Sequence, residues 1–155
     1  MKTIFKTLLI TLFATLISIN GFANTGTDEV RELTIKGTDN LKFSETLIEA
    51  SPGETIRLTF EVVSNMPKTA MGHNIAIVDK DADVQNFVMQ SMSAEDNEYI
   101  APALEDQVVA FTKMIGGGET SVIEFTVPDE PGDYVYVCTF PGHYFAGMKG
   151  ILRVK

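Results

Sequence analysis

Residues 56–62 read Ile-Arg-Leu-Thr-Phe-Glu-Val, an alternation of apolar and polar side chains. Successive side chains of a β-strand point to opposite faces, so this period of two indicates a strand with one face buried and the other exposed. An amphipathic helix would instead repeat its apolar residues every three or four positions. The stretch therefore predicts a β-sheet with one face packed against a core.

Shorter stretches with the same alternation lie on both sides of this strand. Their apolar positions are Leu33 and Ile35, Ile75 and Ile77, Ile123, Phe125 and Val127, Val135 and Val137, and Leu152 and Val154. Turn-forming sequences rich in Gly, Pro, Asn and Asp separate them, at residues 37–40, 51–53, 116–118 and 128–132. Six or more strands at this spacing predict an all-β fold, an antiparallel Greek-key β-sandwich.

One segment departs from the period of two. Within residues 82–92, Val84, Phe87 and Val88 fall at the spacing of a helix face. We therefore expect one short helical insertion between the strands.

The N-terminus has the pattern of a secretory signal peptide. Lys2 and Lys6 precede an apolar run over residues 8–19, and small residues at 21–23 suit a cleavage site. The run is shorter than a membrane span needs and no second one follows, so we expect no stable membrane insertion. The sequence predicts a signal peptide at residues 1–23 and one domain at residues 24–155 that is exported to the periplasm.

The charge of the chain limits its partners. With 12 Lys and Arg against 21 Asp and Glu the formal charge is −9, and without the predicted signal peptide it is 10 against 21, or −11. A surface this acidic would repel phosphate backbones, so nucleic-acid binding is excluded. Hydrophobic residues make up 45% of the chain, enough for a single buried core.

The residues with the most distinctive chemistry gather near the C-terminus. The only cysteine, Cys138, follows the β-rich run Tyr-Val-Tyr-Val at residues 134–137, and it cannot form an internal disulfide. His143 follows with four residues between, and Met148 follows His143 with four more. The only other histidine, His73, lies at the start of an earlier predicted strand.

Two imidazoles, a thiolate and a thioether form a ligand set of mixed softness that suits copper cycling between Cu(I) and Cu(II). The Pro-Gly turn after Cys138 reverses the chain, which would bring His143 and Met148 around the same metal. Loops cluster at the ends of a sandwich, so His73 can join from another strand. Three ligands in a trigonal plane, His73, His143 and Cys138, with a long axial bond to Met148, make the blue-copper arrangement.

At these residues the sequence resembles the cupredoxins, and most nearly the azurins. The resemblance rests on two unbroken segments, Met-Gly-His-Asn at 71–74 and Cys-Thr-Phe-Pro-Gly-His at 138–143, and extends more loosely over residues 31–155. The spacing between His143 and Met148 is that of plastocyanin-like and auracyanin-like proteins. The resemblance implies a cupredoxin-like sandwich holding one type 1 copper.

The resemblance also implies a role for each site residue. His73, Cys138 and His143 would be equatorial ligands, Met148 the axial ligand, the Gly72 carbonyl a weak opposite axial contact, and Asn74 a brace between the ligand loops. No residue is expected to be catalytic.

Three classes of function fit the residues. The first is an electron carrier, in which a fully coordinated copper has no open position for a substrate. The second is a copper chaperone or buffer of the periplasm, which would use the same ligands but exchange the metal readily. The third is an enzyme with Cys138 as nucleophile, but the sequence shows neither an orienting group nor an oxyanion-hole motif. We favour the carrier.

The expected partners are redox proteins such as cytochromes or copper and haem oxidoreductases. Electrons would cross through the edge of His143, which lies among the apolar residues Phe140, Pro141, Tyr144, Phe145 and Ala146. An apolar patch of this kind suits brief docking, and we expect the protein itself to be a monomer.

Overall fold

The computed structural model describes residues 29–155, so the predicted signal peptide lies outside the described residues. The strands are β1 Arg31–Thr38, β2 Lys42–Phe43, β3 Leu47–Ala50, β4 Thr55–Val63, β5 Ala76–Val78, β6 Val108–Phe111, β7 Thr120–Thr126, β8 Gly132–Val137 and β9 Lys149–Val154. The helices are α1 Lys68–Met71 and α2 Val84–Ser91, with 3₁₀ turns at Glu95–Asn97 and Pro102–Gln107. No helix within residues 29–155 is long and apolar enough to cross a membrane.

The strands form two sheets that pack face to face. The first sheet has the order β2-β1-β4-β7, and the second has the order β3-β9-β8-β5-β6. The predicted β-sandwich is therefore confirmed. The sheets are mixed, however, since β1 pairs with β4, and β3 with β9, in parallel. A parallel pair needs a crossover, and the chain makes one when β3 joins the second sheet before β4 returns beside β1.

The core between the sheets follows the predicted alternation in most strands. The apolar residues of β4 that define its period of two are all buried. In β8 the prediction was wrong about the face: Tyr134 and Tyr136 point into the core between the sheets, whereas Val135 and Val137 pack on the outer face. Alternation alone cannot assign faces where both sides of a strand are apolar.

The predicted helix is α2, and it explains the apolar outer face of the second sheet. The side chain of Asp83 caps α2 by accepting a hydrogen bond from the Asn86 backbone N–H at 3.0 Å. Phe87 and Val88 are buried in a second core with Val137 and other residues from the outer face of β5 and β8. The helix thus covers the outer face of β5 and β8.

Two neighbouring strands bring separate loops to one end of the sandwich. Strands β5 and β8 run antiparallel, with Ala76 opposite Val137. The residues just before β5 and just after β8 therefore lie side by side. His73 precedes β5 and Cys138 follows β8, so the fold itself places them at the same end.

Candidate metal centre

The structure brings together the three residues with the most distinctive side chains. One nitrogen of each histidine and the sulfur of Cys138 all lie within 4.8 Å of one another. Cys138 and His73 are 0% exposed, whereas His143 retains a 5% exposed fraction. The group is thus sealed from solvent except at His143.

The loop from Cys138 to Met148 is closed by backbone hydrogen bonds. The N–H of Cys138 donates to the Met148 carbonyl at 3.1 Å, and the N–H of Met148 donates to the His143 carbonyl at 3.0 Å. Gly142 and Gly147 have φ of +86° and +93°, which side chains rarely adopt, so glycines form the turns of this loop. The loop therefore fixes the positions of Cys138, His143 and Met148 relative to one another.

His73 is held by a different part of the chain. Its N–H and carbonyl exchange two hydrogen bonds with Ile115, each at 2.9 Å. The ring of His73 lies 4.8 Å from the ring of His143, centroid to centroid. This isolated bridge attaches the His73 segment to the stretch that precedes β7.

Asn74 joins the two histidine-bearing segments. Its side-chain oxygen accepts the Thr139 backbone N–H at 2.9 Å, and its amide nitrogen donates to the Thr139 hydroxyl at 2.8 Å and to the Glu98 carbonyl at 3.1 Å. Asn74 follows His73 and Thr139 follows Cys138, so these bonds fix the distance between the two loops. Because Asn74 is buried, losing one partner would leave a desolvated polar group, which costs about 1–3 kcal/mol.

Burial sets the protonation states of the three groups. Burial raises the pKa of the Cys138 thiol to about 12. Burial, together with the neighbouring His73, lowers the pKa of His143 to about 4, and burial also lowers the pKa of His73. At neutral pH both imidazoles are therefore neutral, which is the form that binds a metal, and only the thiol has a proton to lose.

The spacing of the donor atoms fits a metal ion. Cys138 Sγ lies 3.9 Å from His73 Nδ1 and 3.5 Å from His143 Nδ1. A metal with bonds of about 2.0–2.1 Å to nitrogen and about 2.3 Å to sulfur, the values for zinc, separates such atoms by about 3.8 Å in a trigonal plane.

Met148 and Gly72 are the other two residues that the sequence predicts to contact the metal. Met148 is fully buried in the core between the sheets. A Cβ on Gly72 would lie 2.6 Å from the Lys68 carbonyl oxygen, so only glycine fits between helix α1 and the ligand loop. The Gly72 carbonyl as an axial contact remains a prediction.

The apolar residues around His143 divide into two groups. The Phe140 ring lies 4.7 Å from the His143 ring and packs on the core, and Tyr144 packs on the second core beneath α2. Pro141, Phe145 and Ala146 remain exposed. The exposed patch is therefore smaller than the sequence predicted, because two aromatic rings fold inward.

Sequence reasoning missed residues that touch the site from far along the chain. Lys42 Nζ donates to the carbonyls of Ala146 and Gly147 at 3.1 and 3.3 Å, which places a cation beside the turn before Met148. Glu98 and Tyr99 contact the loops from the other side. Neither contact has a sequence signal, since lysines, glutamates and tyrosines are common at surfaces and no motif relates them to the loop.

Comparisons with known proteins agree with this geometry. The model of a family described as copper-binding proteins of the plastocyanin/azurin family matches residues 30–155. The sequence is 36% identical over 129 residues to azurin iso-2 of Methylomonas sp. strain J, covering 80% of this chain and 97% of that protein. It is 38% identical over 124 residues to azurin-1 of Alcaligenes xylosoxydans xylosoxydans, covering 77% and 94%.

A solved structure gives the same result. Dithionite-reduced auracyanin from Roseiflexus castenholzii superposes with a TM-score of 0.70 at 33% identity, covering 80% of this chain and 96% of that one. The chain and that auracyanin therefore share a fold.

Proposed function

The chain belongs to the plastocyanin/azurin family of copper-binding proteins, and from this premise we propose that it shuttles single electrons between redox proteins of the periplasm. That it is a cupredoxin of the electron-transfer type follows from the family, whose members are electron carriers and not enzymes. The ligand roles, the compartment and the partners are the proposal.

His73, Cys138, His143 and Met148 would hold the copper, with the Gly72 carbonyl as a further, weaker contact. The observation that carries this assignment is the buried cluster of two imidazole nitrogens and one sulfur within 4.8 Å. Copper bound there would supply a one-electron couple between Cu(I) and Cu(II).

The protein's own residues keep that site dry and rigid. The buried Cys138 and His73 exclude water, and the bonds from Asn74 to Thr139 keep the two loops at a fixed distance. A site that cannot rearrange easily changes little when an electron arrives or leaves. Small rearrangement favours fast electron transfer.

Electrons would enter and leave through His143. It is the member of the cluster that reaches the surface, and the exposed Pro141, Phe145 and Ala146 lie within three residues of it in the chain. Their apolar atoms would exclude water from a transient contact without holding the partner for long. Cytochromes or copper and haem oxidoreductases that dock near His143 would be the partners.

Export is the part of the proposal that rests on sequence alone. Residues 1–23 have the pattern of a signal peptide, which would direct the chain to the periplasm. Fractionation of the native cells, with the mass of the mature protein, tests it. Cleavage after Ala23 and a periplasmic location are expected, and an uncleaved cytoplasmic chain would contradict them.

Redox cycling distinguishes a carrier from a copper chaperone or buffer. We expect the copper-loaded protein to be reduced and reoxidised repeatedly by stoichiometric one-electron reagents in the presence of a copper chelator, without loss of copper. The buried ligands make slow release the expected result in both oxidation states. Transfer of copper to the chelator within one cycle would favour the chaperone or buffer instead.

A further inference from the structure

Glu98 and Tyr99 form a turn that ends the 3₁₀ segment Glu95–Asn97, and its backbone is unusual. Their φ angles are +53° and +57°, in the left-handed region that L side chains rarely adopt. The Cβ of an L-residue is crowded by its own backbone in this region, and strain of this kind persists only where the surroundings hold the chain in place. The contacts of the turn identify those surroundings.

The backbone of Glu98 contacts the brace between the ligand loops. Its carbonyl accepts a hydrogen bond from the Asn74 amide nitrogen at 3.1 Å. The same nitrogen donates to the Thr139 hydroxyl at 2.8 Å. The orientation of the Asn74 side chain, which decides which atoms face Thr139, therefore depends on the Glu98 carbonyl.

The side chain of Glu98 reaches the segment that supports His73. Its Oε2 accepts the backbone N–H of Met114 at 2.7 Å. The next residue, Ile115, forms the two-bond bridge with His73. A charge-assisted bond of this length is roughly twice as strong as a neutral one, so Glu98 anchors the segment that pairs with His73.

Tyr99 contacts an aromatic neighbour of His143. Its ring lies 5.5 Å from the Phe140 ring, and Phe140 lies 4.7 Å from the His143 ring. The turn thus reaches a neighbour of each of the three residues in the cluster, although it is outside the loops that carry them.

We infer that Glu98 is a positioning residue of the metal centre: through Met114 and Asn74 it holds the His73 segment and the Cys138 loop at the separation that copper requires. Tyr99 supports the same arrangement by packing behind Phe140. The inference rests on the proposed function, since it concerns how firmly the proposed copper ligands are held.

The test compares Glu98→Ala, Glu98→Gln and Glu95→Ala. Alanine and glutamine are disfavoured at positive φ to the same degree as glutamate. Each variant therefore changes the side chain alone. Glutamine loses the charge but keeps an oxygen that can accept the Met114 N–H. Glu95 and Glu98 both line a cavity of about 80 Å³. Glu95→Ala is therefore a matched control for the loss of one negative charge.

Copper release to a chelator and backbone amide exchange are the readouts. Glu98→Ala removes the hydrogen bond that the charged Glu98 carboxylate accepts from Met114. We therefore expect this variant to release copper about three- to tenfold faster than wild type. The His73 and Thr139 amides should also exchange faster in the apoprotein. Glu95→Ala should stay within about twofold of wild type, and Glu98→Gln should fall between wild type and Glu98→Ala because its bond to the Met114 N–H is uncharged. Tyr99→Ala should resemble Glu98→Ala more than Tyr99→Phe does.

Equal release and exchange rates in Glu98→Ala and Glu98→Gln, with a wild type that binds copper, would overturn the positioning role and leave the proposed function intact. A wild type without stable copper binding would instead contradict the proposed function itself, and the inference with it.

Discussion

At the scale of single residues, the site combines a thiol that resists ionisation with imidazoles that resist protonation. Burial is the cause of both effects, since it disfavours the charged form of each group. A buried thiol of this kind is unreactive without a metal, which protects the only cysteine of the sequence from oxidation. Metal binding must displace its proton.

We predict that copper uptake by the apoprotein releases one proton per metal between about pH 7 and pH 10. The pKa of Cys138 is raised to about 12, so the thiol is protonated throughout this range, whereas the lowered pKa values of both histidines leave them neutral. The apparent copper affinity should therefore rise about tenfold per pH unit. Titration in weak buffer with a pH indicator measures the protons released. Copper uptake without proton release would mean that Cys138 is already a thiolate.

We predict opposite shifts of the reduction potential on replacing Met148. An oxygen ligand in Met148→Gln is harder and favours Cu(II), so the potential should fall, whereas Met148→Leu removes the axial bond and should raise it. Each tenfold change in preference between the oxidation states moves the potential by about 59 mV. Voltammetry measures it, and unchanged potentials in both variants would place a group other than Met148 on the axis.

At the scale of elements, the ligand loop depends on a strand that precedes it by about a hundred residues. Lys42 in β2 donates to the Ala146 and Gly147 carbonyls at separations of 104 and 105 residues along the chain. The bonds hold the turn that leads into Met148. Lys42 is exposed, so each bond is worth little for global stability.

We predict that Lys42→Met loosens this turn without unfolding the protein. Amide exchange at Gly147 and Met148 should become several-fold faster, while the free energy of unfolding changes by less than about 1 kcal/mol. Lys36→Met on β1 is the control, because it also removes an exposed ammonium group, one that pairs with Glu61 at 3.7 Å. Identical exchange in both variants would show that Lys42 does not hold the loop.

Sequence periodicity found the long strands and the helix because their apolar residues are spaced regularly. It also found the three-residue β5 from Ile75 and Ile77, but it missed β2, β3 and β6, whose two to four residues show no apolar–polar alternation. It also gave no sign of the parallel pairs, because pairing depends on where distant segments meet. The rare residue types Cys138, His73 and His143 pointed to the site, whereas Lys42 and Glu98 are of types too common to stand out.

At the scale of the whole molecule, two forces act on an approaching partner. The chain without its predicted signal peptide has a formal charge of −11, which acts over a Debye length of about 10 Å at 0.1 M salt. The apolar patch at His143 acts only on contact. The two contributions should therefore separate in their dependence on ionic strength.

We predict that electron transfer with a basic cytochrome c slows as salt rises, and that Phe145→Asp slows it further at every salt concentration. Phe145 is 54% exposed and lies two residues after His143 in the chain, whereas Tyr144 is partly buried, so an Asp at 144 would also disturb the core. Val122→Asp is the matched control on β7, at 56% exposure. Stopped-flow rates decide it, and equal slowing in both variants would exclude the His143 face as the electron port.

The absorption spectrum of the oxidised, copper-loaded protein is the most direct test of whether this protein is a blue-copper electron carrier. A buried thiolate bonded to Cu(II) absorbs red light by charge transfer, so the wild type should be intensely blue with one copper per chain. Cys138→Ala should be colourless, and Met66→Ala, an exposed thioether outside the ligand loop, should keep the colour. A colourless wild type that binds copper equally well without Cys138 would contradict the assignment of this site as a blue-copper electron carrier.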